Sequence, residues 1–182
     1  IIVKQPDLGS TMMILGTLLS MLYVSGTNSF LIGSAVGVGG FLGFIHVMKT
    51  PYQRARIETW LNPYLHPQGE GWNIIQAQLA IGSGGLWGMG FGHSLQKLHY
   101  LPVQHADFIF AVIAEEFGLL GCLVVLSLFG MFAYYGFKVA LQARSLFGRF
   151  LAIGITSQIS LQAVVNIMVC TGILPVTGIT LP

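Results

Sequence analysis

The stretch LPVQHADFIFAVIAEEFG, residues 101–118, places His105 and three carboxylates, Asp107, Glu115 and Glu116, at the head of an apolar run. Asp107 opens that run. A carboxylate kept ionised at a water boundary beside an apolar wall suits a general base. The same residue is also a candidate helix N-cap, since Asp accepts from orphan N–H groups and complements the helix dipole. The two readings are compatible, because capping would hold the side chain in place. Glu115 and Glu116 lie two turns deeper. Adjacent helical residues point about 100° apart, so at most one of them faces a given cavity well. Ionisable groups inside a span are costly and normally face the protein interior. Each Glu is therefore either a supporting acid or a hydrogen-bonding partner for a neighbouring helix.

Positive charge is the second ingredient. Arg54, Arg56 and Lys97 could hold the phosphate oxygens of a lipid-linked substrate, and Arg can do so with a bidentate fork. Ordinary contact with lipid headgroups is the alternative. Gln96 and His105 are further candidate substrate contacts. GSGGLWGMGFG, residues 82–92, has six glycines in eleven positions. It either cradles phosphate with backbone N–H groups or forms a tightly turned loop at the membrane surface. It is not a dinucleotide fingerprint, because the G-x-G-x-x-G spacing fails at Trp87 and His93. The five His show no metal-ligand spacing. Cys122 and Cys170 lie in apolar runs and read as small buried hydrophobes.

The elements that must position these residues are membrane helices. The chain is 54% hydrophobic and 8% charged, with a mean hydropathy of +0.76, where soluble domains carry about 25% charged residues. A net charge of +2 without a basic block gives no reason to expect nucleic acid. About 20 apolar residues cross a bilayer. The pattern predicts an all-α polytopic membrane bundle, one domain over 1–182, with four spans at about 9–25, 29–48, 108–137 and 150–170. The segment 49–107 is predicted as a large extracytoplasmic loop. It holds half of the charged residues and Trp60, Trp72 and Trp87, and WNIIQAQLAIG within it reads as an interfacial or re-entrant helix. The loop between the last two spans carries Lys138, Arg144 and Arg149 and no acid, so the positive-inside rule makes it cytoplasmic. With no initiator Met and no tail after LPVTGITLP, the chain is expected to be an internal piece of a longer membrane protein or a product trimmed to its ordered part.

Several stretches, taken in order, carry a resemblance: QPDLGS (5–10), NP (62–63), IIQAQLAIGSGGLWGMGFGHSLQKLHYLP (74–102), HADFIFAVIAEEFGLLG (105–121) and NIMVCTGILPVTGITLP (166–182). Together they resemble the SEDS family of FtsW, RodA and SpoVE over nearly the whole chain. SLQKLHYLP leans to the FtsW/SpoVE branch. Val103 stands where the family usually has Glu, and Ala106 where it usually has Thr.

The resemblance implies a multi-pass protein of about ten spans in the bacterial cytoplasmic membrane. It implies a peptidoglycan glycosyltransferase that polymerises lipid II outside that membrane, in cell division or cell-shape maintenance. A class B penicillin-binding transpeptidase would be its partner, with other divisome or elongasome membrane proteins. The family's essential acid maps onto Asp107. Departure of undecaprenyl pyrophosphate is helped by positive charge rather than by an acid, which gives Arg54, Arg56 and Lys97 their expected role. A divalent cation such as Mg2+ or Mn2+ could supply the same charge, though no ligand cluster in the sequence points to one. Two other functions compete. A lipid II flippase would use Gly-rich, broken helices, yet it would place charges near the midplane of several spans. A scaffold that only recruits a transpeptidase would leave Asp107 without a purpose.

Overall fold

The structure, a computed structural model, describes residues 8–65, 71–92 and 107–182. Among these residues every regular element is helical: α1 (Leu8–Val24), α2 (Ser29–Lys49), α3 (Pro51–Leu61), a 3₁₀ turn (Pro63–Leu65), α4 (Trp72–Gly84), α5 (Ile109–Gln142) and α6 (Leu146–Cys170). The chain is an all-α polytopic membrane protein. Helices α2, α5 and α6 are long and apolar enough to cross a bilayer. The expected first span is α1, whose 17 residues sit at the lower limit of about 17–25 for a crossing.

Local signals set the boundaries. Asn28 caps α2, its side chain accepting from Phe30 N at 2.9 Å. Thr50 is extended, at φ −102° and ψ 109°, as a residue before proline must be. Its carbonyl then accepts from Gln53 and Arg54, so Thr50 caps α3 and Pro51 takes the first helical position, where its missing N–H costs nothing. Helix α5 continues to Gln142 because KVALQ, residues 138–142, contains no breaker. Lys138 and Arg149 are thus helical, and only Arg144 remains in the short connection before α6.

The chain divides into two compact units. The first comprises Ile1–Ala55 and Phe132–Leu161. Here α2 buries none of its residues, as suits an apolar helix facing lipid or other protein. Small residues let the remaining helices approach closely: a Cβ on Gly136 would meet the Thr156 side chain, and one on Gly16 would touch Leu161. Thr17 Oγ1 lies 2.5 Å from Gln158 Oε1. A groove of 390 Å³ beside this pair is lined by Thr17, Met21, Phe150, Leu151, Gly154 and Ile155, among others. It carries no ionisable side chain.

The second unit, Arg56–Met131 and Gln162–Pro182, holds the buried cluster of Ala77, Ala80, Phe108, Phe110, Ala111, Ala114, Cys122, Val169 and Cys170. Helix α5 breaks inside it. Gly118 has φ 65° and ψ −160°, a conformation open to glycine and costly for other residues. The break frees two carbonyls and two N–H groups, and the Gly-rich turns after α4 take up all four. Met89 N donates to Glu115 O at 2.9 Å and Gly90 N to Glu116 O at 3.1 Å. Leu119 N donates to Gly85 O at 3.0 Å and Leu120 N to Leu86 O at 3.4 Å. The contact is backbone on backbone. A Cβ on Gly84 would collide with Ala114 O, one on Gly88 with Glu116 O, and one on Gly118 with Gly88 N.

Candidate functional site

The Gly-rich stretch does not offer a phosphate cradle through the amides at its centre. Gly88 N donates to Gly84 O, and Met89 N and Gly90 N to the α5 carbonyls. The alternative reading, a tight turn, holds, with helix α5 as what it packs against.

The N-cap reading of Asp107 is corrected in the same way. Phe108 O accepts from Ala111 N at 3.0 Å and Val112 N at 3.3 Å, so Phe108 holds the cap position. Its ring is fully buried, and that burial fixes where α5 starts. Asp107 stands two residues ahead of the first residue of α5, just before the cap, half-buried, with its carbonyl outside the helical ladder.

That carbonyl is held from α6. Asn166, which is 0% exposed, donates through Nδ2 to Asp107 O at 2.7 Å and to Ile179 O at 2.8 Å. Cys170, one turn on, brings its Sγ to 3.4 Å from the same Asp107 oxygen. The stretch 175–182 has no regular secondary structure. Side chains answer carbonyls along it and the turn before it: Trp60 Nε1 reaches Gly172 O at 2.7 Å, Arg56 reaches Val176 O at 3.2 Å, and Gln162 Nε2 reaches Thr180 O at 3.0 Å. Backbone outside regular secondary structure needs such partners, since its carbonyls have no ladder to satisfy them.

Arg56 lies near enough to Asp107 for its charge to act on the carboxyl. Burial pushes the Asp107 carboxyl above its ordinary 3.8, and the Arg56 guanidinium opposes that rise. Arg54, two residues back along α3 and so about 200° around the axis, is exposed. Gln96, Lys97 and His105 lie outside the described residues. Glu115 and Glu116 are 1% and 5% exposed, inside the fold, and their main-chain carbonyls anchor the Gly-rich turns. Among the described residues no three of His, Cys, Asp and Glu group as a metal site.

Sequence reasoning did not single out Asn166 or the role of Trp60. An amide in an otherwise charge-free run was the available signal, because polar side chains in such spans pair between helices.

Comparison with known proteins bears on this arrangement. The FtsW/RodA/SpoVE family model, described as cell cycle protein, matches residues 1–182. The chain belongs to the FtsW/RodA/SpoVE family. It is 46% identical to stage V sporulation protein E of Bacillus subtilis over 184 residues, covering 100% of this chain and 50% of that protein. It is 44% identical to the probable peptidoglycan glycosyltransferase FtsW of Geobacter metallireducens, covering 48% of it. A solved structure described as "Structural coordination of polymerization and crosslinking by a peptidoglycan synthase complex" contains a chain that superposes with a TM-score of 0.77 at 31% identity, over 100% of this chain and 50% of that one. These relatives carry the SpoVE and FtsW names that SLQKLHYLP favoured. This member of the FtsW/RodA/SpoVE family spans about half the length of the relatives it matches.

Proposed function

We propose that this chain supplies the acid-bearing half of a peptidoglycan glycosyltransferase, which polymerises lipid II at the outer face of the bacterial cytoplasmic membrane. Asp107 is the general base. Its carboxylate takes the proton of an acceptor sugar 4-hydroxyl. The freed oxygen bonds to the anomeric carbon of the lipid-linked donor. The bond from that carbon to the pyrophosphate oxygen breaks, and its electron pair leaves on undecaprenyl pyrophosphate. Lys97, Gln96 and His105 are proposed to contact the departing group, with Arg56 contributing positive charge beside the base. A class B penicillin-binding transpeptidase is the proposed partner, a reading supported by the similarity to a chain of a peptidoglycan synthase complex.

One observation carries the reading: Asp107 stands just outside the helical ladder, half-buried, within reach of the charge of Arg56. Burial favours a base that is not fully ionised at low pH, and pKa values moved toward the working pH suit proton transfer. The test is lipid II polymerisation by the full-length protein carrying Asp107→Asn. Loss of a general base costs about 10²–10⁴-fold in rate, so glycan chains should nearly vanish while folding is kept. A near-normal rate would falsify the assignment.

A lipid II flippase draws support from the broken helix α5, since interrupted helices are common in transporters. Yet the four backbone groups freed by that break are already paired with the Gly-rich turns. They are not left open for a substrate, and this favours outside chemistry.

A further inference from the structure

We propose that Asn166 is a positioning residue. It latches the main chain at Asp107 to the Val176–Ile179 stretch and so sets the distance between Asp107 and Arg56. The proposal rests on Asp107 being the base.

The geometry is a two-point jig. Asn166 ties Asp107 O to Ile179 O with the two N–H donors of one amide, at 2.7 and 2.8 Å. Arg56 is tied to Val176 O at 3.2 Å, three residues earlier on the same stretch. The base and the cation beside it are therefore both referenced to one short piece of backbone. An Asn amide suits this task. It is neutral, and its NH₂ offers two donors to two carbonyls that have no helical partner. Asp at this position would present acceptors to acceptors. Leu would take the amide donor from both carbonyls, leaving Asp107 O with only the weak Cys170 thiol. Cys170, one turn away on the same face of α6, reaches Asn166 Oδ1 at 3.7 Å and Asp107 O at 3.4 Å, which holds the amide in its orientation. Among the described residues, the titratable or charged groups set around Asp107 are Arg56 on α3 and Cys170 on α6.

The experiment uses full-length protein in proteoliposomes with lipid II as substrate. Asn166→Leu removes both donors, and Asn166→Ser is a milder variant that keeps one. Thermal melting reports folding. kcat, KM and the pH profile of kcat report function. A misplacement of about 1 Å can cost on the order of 100-fold, so kcat should fall by about ten- to hundredfold in Asn166→Leu and less in Asn166→Ser. KM for lipid II should stay within about twofold. The acid limb of the pH profile should move to higher pH, because Arg56 no longer sits where it favours the carboxylate. A folded variant with unchanged kcat and pH profile overturns the proposal. So does a rise in KM alone, which would make Asn166 a substrate contact. Failure of both variants to fold assigns Asn166 to the stability of the unit and also overturns it. Asp107→Asn measured alongside separates the two ideas. Full activity there sinks the base assignment, whereas a dead Asp107→Asn with a fully active Asn166→Leu sinks the latch alone.

Discussion

At the scale of the residue, the Asp107 carboxyl is held between two opposing influences. Burial disfavours its ionised form, and Arg56 favours it, with burial the larger. The base form is therefore complete only at a pH above the ordinary 3.8. Replacing Arg56 by Gln removes the opposing influence. The acid limb of the rate profile should then move to still higher pH, and an unmoved limb would mean that Arg56 serves Val176 alone. The same shift has a stability sign. A carboxyl whose pKa is raised on folding favours the folded state below its unfolded pKa, and that contribution is lost as pH rises through the folded value. Asn carries no charge at any pH. Asp107→Asn should thus melt at the same temperature as the parent, or slightly higher, at pH 7 while its polymerisation collapses. Melting several degrees lower would point to a structural role for the carboxylate. The acid itself was legible in the sequence, because an Asp heading an apolar run stands out. Its exact place relative to the helix was not, since only the burial of Phe108 decides which of two neighbours takes the cap.

At the scale of the element, the break in α5 and the Gly-rich turns are one unit of structure. Substituting Gly118 by Ala forces a side chain into a left-handed conformation and onto Gly88 N. Strain of that kind costs about 1–3 kcal/mol before the steric contact is counted, so Gly118→Ala and Gly88→Ala should each lower the melting temperature clearly. Glycines on α2 provide the contrast. A Cβ at Gly33 or Gly37 meets nothing within 4 Å, and Ala is favoured over Gly in a helix by about 1 kcal/mol. Those variants should be neutral or mildly stabilising in the isolated protein. Equal losses at both sets of positions would contradict the packing described for the turns. The composition of residues 82–92 announced turns. It could not announce their partner, because a single Gly118 in an apolar run looks like any tolerated helical glycine, and the pairing joins segments about thirty positions apart.

At the scale of the whole molecule, the helices were legible because hydrophobic length in a bilayer leaves few options, while α3 was not, because PYQRARIETWL has no apolar length to give it away. Cys122 and Cys170 are buried, so a membrane-impermeant thiol reagent should meet a low background in intact cells. Tyr64→Cys, exposed on the 3₁₀ turn, should be labelled and Ser145→Cys should not. The reverse pattern would invert the topology and remove the outer-face reaction. The break in α5 also bears on how the chain is made. The turns that receive its four backbone groups precede it in the sequence, so they leave the ribosome first. Amide groups bared to lipid cost several kcal/mol each, and the earlier segment is in place to meet the later one as it enters. Moving residues 82–92 to follow α5, by circular permutation, would reverse that order of arrival, and insertion of the interrupted helix should become the slow step in biogenesis.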